Sequence, residues 1–212
     1  MGSNGSESMM RAVFLDRDGV LNANILNPST DQYESPLTPE QFTLLPGTIA
    51  SLRRLQGAGF LLFLVSNQPN YAKGKASMHT LDAIHRKFEM QLKDDRIEFQ
   101  AFYYCFHHPE FTGPCVCRKP SPYFLYEARD RFKVSLADSW MVGDRSTDIV
   151  CGRSAGTKTI YIQNTSAPLH DADFHARDLA AAVPLILASG IKAELRFIHA
   201  VLSVGSTQVQ EP

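Results

Sequence analysis

The sequence lacks the features of a membrane protein, a secreted protein or a nucleic-acid-binding protein. Its 21 Lys and Arg residues are balanced by 22 Asp and Glu residues, so a net charge of -1 creates no basic field for nucleic acid or an anionic membrane. Its longest apolar runs, such as residues 60–65, are far too short to span a bilayer. No charged segment followed by an apolar one opens the chain, so nothing indicates secretion. We therefore expect a cytoplasmic protein that has neither nucleic acid nor a membrane as its partner.

Cysteine is scarce and unevenly placed. The chain has 4 cysteines, and three of them lie within residues 105–117. In a chain with no sign of secretion, such clustering indicates a metal site more than disulfides. The chain also lacks internal repeats and low-complexity tracts, and its 212 residues fit one α/β domain with a sizeable core. We place that domain at residues 9–190, with a tag or disordered end at residues 1–8 and a loosely held tail at residues 191–212.

The chain is organised around an apolar run that ends in two carboxylates. Residues 13–15 are followed by Asp16, Arg17, Asp18 and Gly19. A continuous apolar run predicts a buried strand of a parallel sheet, and such sheets bind ligands beyond the carboxyl ends of their strands. One aspartate at that position can attack an electrophile while the other moves protons. The plain structural alternative is an acidic turn that ends a strand.

Apolar runs and helical periodicities alternate along the rest of the chain. Predicted strands cover residues 11–15, 60–65, 101–105, 140–142 and 159–162. A first predicted helix follows Pro46, and later ones cover residues 77–93, 122–132, 147–155 and 178–189. Residues 22–41 contain three prolines and are predicted to form a surface loop over the strand ends. This alternation predicts an α/β fold with a doubly wound parallel sheet and helices on both faces.

Polar residues follow the second strand and the cysteine-rich segment. Ser66 and Asn67 end the second strand, where a hydroxyl and an amide can donate hydrogen bonds to phosphoryl oxygens. Lys119 supplies a compact positive charge, and the planar fork of Arg118 suits bidentate contact with a second phosphate. A serine turn and a solvated basic pair are the plain structural alternatives.

Two aspartates follow the fourth strand. Asp144 would face Asp16 and give an acidic pair for a hard cation, most simply Mg²⁺. Asp148 lies one helical turn later, where it is placed to hold Lys119 or a metal-bound water. A strand that leads into a capped helix is the structural alternative.

Taken in order, these motifs resemble those of the haloacid-dehalogenase (HAD) superfamily of phosphatases. The four motifs are Asp16-Arg17-Asp18-Gly19, Ser66-Asn67, Lys119, and Gly143-Asp144 with Asp148. The resemblance covers residues 11–163 and implies a Rossmann-like HAD domain without a cap. Three further segments resemble the family of D-glycero-D-manno-heptose-1,7-bisphosphate 7-phosphatases, namely residues 67–74, 105–109 and 115–120.

The resemblance implies a Mg²⁺-dependent phosphomonoesterase that works through an aspartyl phosphate. Asp16 would be the nucleophile, Asp18 the general acid and base, and Mg²⁺ would be held by Asp16, Asp144 and the backbone carbonyl of Asp18. The implied substrate is a small phosphorylated sugar, specifically the 7-phosphate of D-glycero-D-manno-heptose 1,7-bisphosphate, a precursor in lipopolysaccharide synthesis. The catalytic phosphate contacts fall on Ser66, Asn67 and Lys119, and the substrate-binding contacts on Arg118, Lys73, Asn70 and Arg145.

The same resemblance supports a structural zinc site in the cysteine-rich segment. Cys105 and His107 match one half of the family's metal motif, and Cys115 and Cys117 match the other. Such a Cys₃His set suits tetrahedral Zn²⁺ and leaves no ligand position for water. The adjacent His108 fits the family spacing less well. Free thiols on a loop are the alternative interpretation.

Three other functions are compatible with parts of this sequence. Histidinol-phosphate phosphatases share the metal motif and are the near alternative. A polynucleotide 3′-phosphatase is disfavoured because no basic stripe with interleaved aromatic residues is present. A non-catalytic, zinc-stabilised phosphate-binding module is the alternative outside enzymes. We expect the protein to be a monomer.

Overall fold

The structure, a computed structural model, describes residues 9–28, 31–163 and 171–188. The predictions for residues 1–8 and 191–212 lie outside this described part. The strands are β1 (Ala12–Leu15), β2 (Ile25–Asn27), β3 (Gln32–Glu34), β4 (Leu61–Asn67), β5 (Phe99–Cys105), β6 (Trp140–Gly143), β7 (Lys158–Ile162) and β8 (Phe174–Ala176). The helices are α1 (Thr48–Gly57), α2 (Met78–Asp94), α3 (Pro109–Thr112), α4 (Tyr123–Phe132) and α5 (Ser146–Ala155).

Six strands form one parallel sheet in the order β5-β4-β1-β6-β7-β8. The chain order reverses at β1, with β4 and β5 on one side and β6, β7 and β8 on the other. Open sheets bind ligands at such a switch point, beyond the carboxyl ends of the strands. The predicted doubly wound α/β fold is confirmed. Among the described residues no helix is long and apolar enough to cross a bilayer.

The alternating side chains of β1 supply two apolar clusters, one on each face of the sheet. Val13 and Leu15 belong to the larger cluster, whereas Ala12 and Phe14 belong to the smaller one. All four side chains are completely buried. Because successive strand residues point to opposite faces, helices must cover both sides of this sheet, which explains why the strand has a continuous apolar run.

Residues 22–41 contain secondary structure that the sequence did not predict. Strands β2 and β3 pair antiparallel in a small hairpin that is separate from the main sheet. The expectation of an irregular loop was wrong here, because strands of three residues are too short to show a periodicity. The edge strand β8 and the single-turn helix α3 were missed for the same reason.

The helix predicted over residues 178–189 is confirmed where the structure describes it. Residues 179–188 are helical despite Pro184. The Oδ1 atom of Asp178 accepts a hydrogen bond of 2.7 Å from the backbone of Ala181, which satisfies a donor of the first turn. Val183 and Ile186 are fully buried in the larger apolar cluster, so tertiary packing holds this segment in place.

Helix α5 packs closely on the sheet through Gly152. A Cβ atom at this position would lie 2.6 Å from Met141 Cβ and 2.8 Å from Thr159 Cγ2. These distances are shorter than real Cβ contacts, and the neighbouring atoms belong to β6 and β7 rather than to a mobile side-chain end. Glycine at position 152 therefore sets how near α5, and with it Asp148, lies to the strand ends.

We predict that Gly152→Ala lowers the free energy of unfolding by about 1–3 kcal/mol through overpacking. Gly57→Ala in α1 is the matched control, because a Cβ atom there meets nothing within 4 Å. The control should leave stability unchanged or raise it slightly, since alanine is the better helix former. Urea unfolding of the two variants checks this, and equal effects at both positions would contradict it.

Candidate active site

Four charged side chains from three parts of the chain meet beyond the carboxyl ends of the central strands. The carboxylates of Asp16, Asp144 and Asp148 place one oxygen each within 4.8 Å of one another. The Nζ atom of Lys119 lies 3.0 Å from Asp16 Oδ1 and 2.6 Å from Asp148 Oδ1. The structure thus brings together the residues that the sequence predicted to share a site.

The ammonium group of Lys119 is surrounded by three oxygen acceptors. Its side chain is 2% exposed, and the third hydrogen-bond partner of its ammonium group is the carbonyl of Val65 in β4, at 2.6 Å. Burial alone would lower the pKa of Lys119, but the charges of Asp148 and Asp16 outweigh burial and raise the pKa above its usual range. Because all three ammonium hydrogens have acceptors, Lys119 offers a bound anion its charge rather than a free donor.

The cluster of carboxylates suits a divalent cation. The Oδ1 atom of Asp144 is buried and has no hydrogen-bond partner among the described residues, with Arg145 Nε no nearer than 4.0 Å. Burial and the neighbouring charges of Asp16 and Asp148 raise the pKa of Asp144 to about 8. A hard cation bound by these carboxylates would remove this repulsion. Carboxylate oxygens are the donors that Mg²⁺ prefers.

Gly19 makes room for Asp144. The backbone of Gly19 has φ +85°, and a Cβ atom there would lie 2.0 Å from Asp144 Oδ2. Both the left-handed backbone and the carboxylate of Asp144 therefore require glycine. The sequence identifies this glycine only as the last residue of the first motif. The second reason depends on β6 lying next to β1.

Several hydrogen bonds hold the carboxylate of Asp18 in one orientation. Its Oδ1 atom accepts hydrogen bonds from Arg17 and Asn22, and its Oδ2 atom accepts them from Arg17 and Gln68. Burial raises the pKa of Asp18, but the charge of Arg17 and these hydrogen bonds outweigh it, so the pKa lies below its usual range. As placed here, the carboxylate is ionised and ready to accept a proton.

The two residues that end β4 differ in their contacts. The amide of Asn67 donates to the backbone carbonyl of Lys119 at 3.1 Å and accepts from its backbone N–H at 3.0 Å. Asn67 therefore fixes the position of Lys119, a role the sequence analysis did not assign to it. Ser66 is buried, and its oxygen accepts a hydrogen bond from Gln68 at 3.0 Å, which leaves the hydroxyl hydrogen available for another acceptor.

An open cavity of about 850 Å³ lies above this cluster. The four predicted substrate-binding residues all line it, namely Asn70, Lys73, Arg118 and Arg145. Asn70 is buried, and its Nδ2 atom is a donor without a hydrogen-bond partner among the described residues. Arg118 is held in place by a hydrogen bond of 3.1 Å from Nη1 to the carbonyl of His107.

The hairpin of β2 and β3 forms a wall of the same cavity. Tyr33 and Glu34 line it, and both carboxylate oxygens of Glu34 lie 2.8 Å from the Nζ atom of Lys75, which also lines the cavity. Sequence analysis did not assign a role to any of these residues. A tyrosine within a proline-containing segment gave no signal of its own, because the hairpin that carries it could not be predicted.

The predicted metal loop is also assembled. Among the three cysteine sulfurs the separations are 3.7 Å (Cys105–Cys115), 3.3 Å (Cys105–Cys117) and 3.8 Å (Cys115–Cys117). The Nδ1 atom of His107 lies 3.7 Å from Cys105 Sγ and 3.4 Å from Cys117 Sγ. With Zn–S bonds of about 2.3 Å, tetrahedral geometry separates two sulfurs by about 3.8 Å, so these four atoms fit zinc.

His108 has a different environment. Its Nδ1 atom accepts a hydrogen bond of 3.3 Å from the backbone of Glu110 and so caps α3. The metal-like cluster contains His107 and not His108, as the spacing of the motif indicates.

Comparisons with known proteins agree with this geometry. A HAD-hydrolase-like family model matches residues 116–182. The D-glycero-β-D-manno-heptose-1,7-bisphosphate 7-phosphatase of Vibrio cholerae is 34% identical over 163 residues, covering 74% of this chain and 83% of the relative. The protein of the same name from Salmonella typhi is 31% identical over 188 residues and covers 86% of this chain and 96% of the relative.

A solved structure gives the same result. The crystal structure of D,D-heptose 1,7-bisphosphate phosphatase from B. bronchiseptica, complexed with magnesium and phosphate, superposes with a TM-score of 0.71. It is 29% identical to this chain and covers 85% of this chain and 99% of its own. The sequence identity to the curated relatives, over most of their length, shows the family. This chain belongs to the HAD-like hydrolases, in the family of the D-glycero-β-D-manno-heptose-1,7-bisphosphate 7-phosphatases.

Proposed function

We propose that this protein is a Mg²⁺-dependent phosphomonoesterase that removes the 7-phosphate of D-glycero-D-manno-heptose 1,7-bisphosphate. The observation that carries the proposal is the contact of Lys119 with Asp16, a carboxylate at the base of a cavity whose rim is lined by further cations. The names of the relatives and of the B. bronchiseptica structure support the choice of substrate. A cytoplasmic location and a monomeric state stay predictions from the sequence.

The residues act in two steps. Asp16 attacks the phosphorus atom in line and becomes an aspartyl phosphate, and Asp18 gives a proton to the departing sugar oxygen. Asp18 then takes a proton from the water that hydrolyses the aspartyl phosphate. The hydrogen bonds on Asp18 favour its ionised form, which is the form that takes a proton from water. To give a proton to the leaving group, Asp18 must first be protonated, although the charge of Arg17 disfavours that form. Lys119 and Ser66 stabilise the negative charge that accumulates on the phosphoryl oxygens.

Mg²⁺ would be held by Asp16, Asp144 and the backbone carbonyl of Asp18. When bound, it reduces the repulsion between an anionic carboxylate and an anionic phosphate. The unpartnered Oδ1 atom of Asp144 supports this assignment, because a buried carboxylate oxygen without a hydrogen bond is costly unless a cation binds it. Asp148 is engaged with Lys119 and with the backbone N–H of Arg145, which suits a supporting role.

The second phosphate of the substrate would bind at the rim of the cavity. Arg118 and Lys73 both line the cavity and supply positive charge there, and Arg145 and the free donor of Asn70 add to it. Glu34 is the acidic residue of the hairpin that could attract the amine of histidinol phosphate, but Lys75 neutralises it. The contacts at the rim therefore favour a bisphosphate over histidinol phosphate.

We also propose that zinc occupies the Cys₃His cluster and has a structural role. Burial raises the pKa of the Cys105 thiol to about 12, so a cation is needed to stabilise its thiolate. The loop ends at Arg118 and Lys119, whose positions bear on both phosphates. A bound metal would therefore hold the substrate-binding and charge-stabilising residues in register.

The substrate proposal predicts a ranking of activities. With Mg²⁺ present, the protein should hydrolyse D-glycero-D-manno-heptose 1,7-bisphosphate with a kcat/KM well above that for histidinol phosphate.

Asp16→Asn should lose activity on every substrate by at least about 10³-fold while remaining folded, because the nucleophile is gone. Arg118→Met should raise the KM for the bisphosphate about 10–100-fold, as expected for the loss of a charge-assisted contact.

Two controls separate these effects. Arg118→Met should leave the KM for a sugar monophosphate nearly unchanged, and Arg54→Met, at an exposed position of α1, should change neither constant. A kcat/KM for histidinol phosphate that exceeds the value for the heptose bisphosphate would overturn the substrate. Residual turnover by clean Asp16→Asn protein would overturn the mechanism.

Asp144→Asn tests the magnesium site by its effect on stability. At pH 9, in Mg²⁺-free buffer, the variant should be more stable than wild type by on the order of 1 kcal/mol, because the repulsion from Asp16 and Asp148 is relieved. Added Mg²⁺ should raise the melting temperature of wild type but not of the variant, and the variant should lose at least about 10²-fold in kcat. Thermal unfolding with and without Mg²⁺ measures this, and equal stabilisation of both proteins by Mg²⁺ would contradict the site.

The neighbouring histidines test the zinc site. Purified wild type should contain roughly one equivalent of zinc per chain, and His107→Ala should lose it on dialysis against a mild chelator. His108→Ala should keep its zinc, because that ring lies outside the cluster. Elemental analysis provides the measurement. Folded, active wild type without zinc would remove the zinc proposal and leave the phosphatase proposal intact.

A further inference from the structure

Gln68 lies directly behind the active site and is 1% exposed. It follows the last residue of β4 and is not among the residues that line the cavity. Its backbone N–H donates a hydrogen bond of 2.7 Å to the carbonyl of Cys105 at the end of β5. Its backbone is therefore fixed against the neighbouring strand, and its buried side chain reaches Asp18 beyond the end of β1.

The amide nitrogen of Gln68 contacts two residues of the proposed mechanism. Nε2 donates to Asp18 Oδ2 at 2.5 Å and to Ser66 Oγ at 3.0 Å. A primary amide has two hydrogens, so it can make both bonds at once. The proton carrier and the phosphate-binding hydroxyl are thus joined through one atom.

The contact with Ser66 sets the direction of its hydroxyl hydrogen. A serine hydroxyl carries one hydrogen, which rotates to suit its neighbours. Because the oxygen accepts from Gln68, the hydrogen must point to a different acceptor. In the proposed mechanism that acceptor is a phosphoryl oxygen, and a hydroxyl that already points there needs no reorientation during the reaction.

The contact with Asp18 fixes the second oxygen of its carboxylate. Arg17 and Asn22 hold Oδ1, and Arg17 reaches Oδ2 only at 3.1 Å. Ser35 also bonds to this carboxylate, and the 2.5 Å bond from Gln68 is shorter than those from Arg17 and Asn22. Gln68 therefore helps to hold Oδ2 in place, and its amide links this oxygen to the hydroxyl of Ser66.

We propose that Gln68 is a positioning residue, which aligns the carboxylate of Asp18 with the hydroxyl of Ser66 for transfer of a proton to the leaving group. The inference rests on the proposed phosphatase function. It assigns no contact with substrate to Gln68. The effect of losing its amide should depend on how much the leaving group needs a proton.

The test compares two phosphate monoesters in wild type and in Gln68→Met, which keeps the length of the side chain and removes its donor. 2,4-Dinitrophenyl phosphate has a leaving group that departs without protonation, whereas the sugar oxygen of a sugar phosphate needs a proton in order to depart. The ratio of kcat/KM for the sugar phosphate to kcat/KM for the aryl phosphate should fall at least about tenfold in the variant, because general acid catalysis contributes about 10²–10⁴-fold. Loss of the Ser66 alignment alone would lower both values equally and leave the ratio unchanged.

Gln56→Met is the matched control. Gln56 also makes two hydrogen bonds through its amide, to the backbone of Arg96 and Glu98, but it lies in α1 away from the cavity. It should leave the ratio unchanged. If Gln68→Met does not fold by circular dichroism, Gln68→Leu is a smaller apolar replacement that still removes the donor, and it should give the same fall in the ratio.

The outcomes are distinct from those that test the phosphatase itself. Wild type that hydrolyses neither ester would overturn the proposed function. Active wild type together with folded Gln68 variants that show an unchanged ratio would overturn the positioning role alone. A fall in the ratio at position 68 and none at position 56 supports it.

Discussion

The ammonium group of Lys119 lies between the carboxylates of Asp16 and Asp148 and donates its remaining hydrogen bond to Val65. These partners come from the end of β1, from α5 and from β4, so one buried charge connects the segments that form the site. Removing one partner of a buried ion pair is strongly destabilising, by about 3–5 kcal/mol, because the other charge is left uncompensated. These ion pairs therefore connect the end of β1, the segment that carries Lys119 and α5 to one another.

The cysteine-rich loop leads directly into Lys119 and so bears on its position. The reciprocal hydrogen bonds between the amide of Asn67 and the backbone of Lys119 fix the end of this loop, and the carbonyl of His107 holds Arg118. A loop with few buried apolar residues gains little from the hydrophobic effect, so a metal at the Cys₃His cluster is a direct way to order it. The proposed zinc would thus act on catalysis only through the positions of residues 118 and 119.

The cavity above Asp16 has no separate cap domain in the described residues, and its walls are short segments. The hairpin of β2 and β3 forms one wall, joined to the loop after β4 by the ion pair of Glu34 with Lys75. An open site holds its substrate through anchors placed around the rim, which suits a molecule with two phosphates. The exposed tyrosine at position 33 stands on this wall and adds an aromatic face to it.

The sequence by itself predicted the parallel sheet, the edge of the sheet at which the site lies, and most of the residues that meet there. Buried parallel strands have continuous apolar runs, and each catalytic motif directly follows one of these runs or begins a helix, so local patterns were sufficient for Asp16, Ser66 and Asp144. Only the tertiary structure decided the roles of Asn67 and Gln68, because Asn67 binds the backbone of Lys119 and Gln68 binds Asp18, and no spacing along the chain records such contacts. The same holds for the short hairpin over the site, whose three-residue strands are stabilised by pairing and by contacts across the cavity rather than by a periodicity of their own.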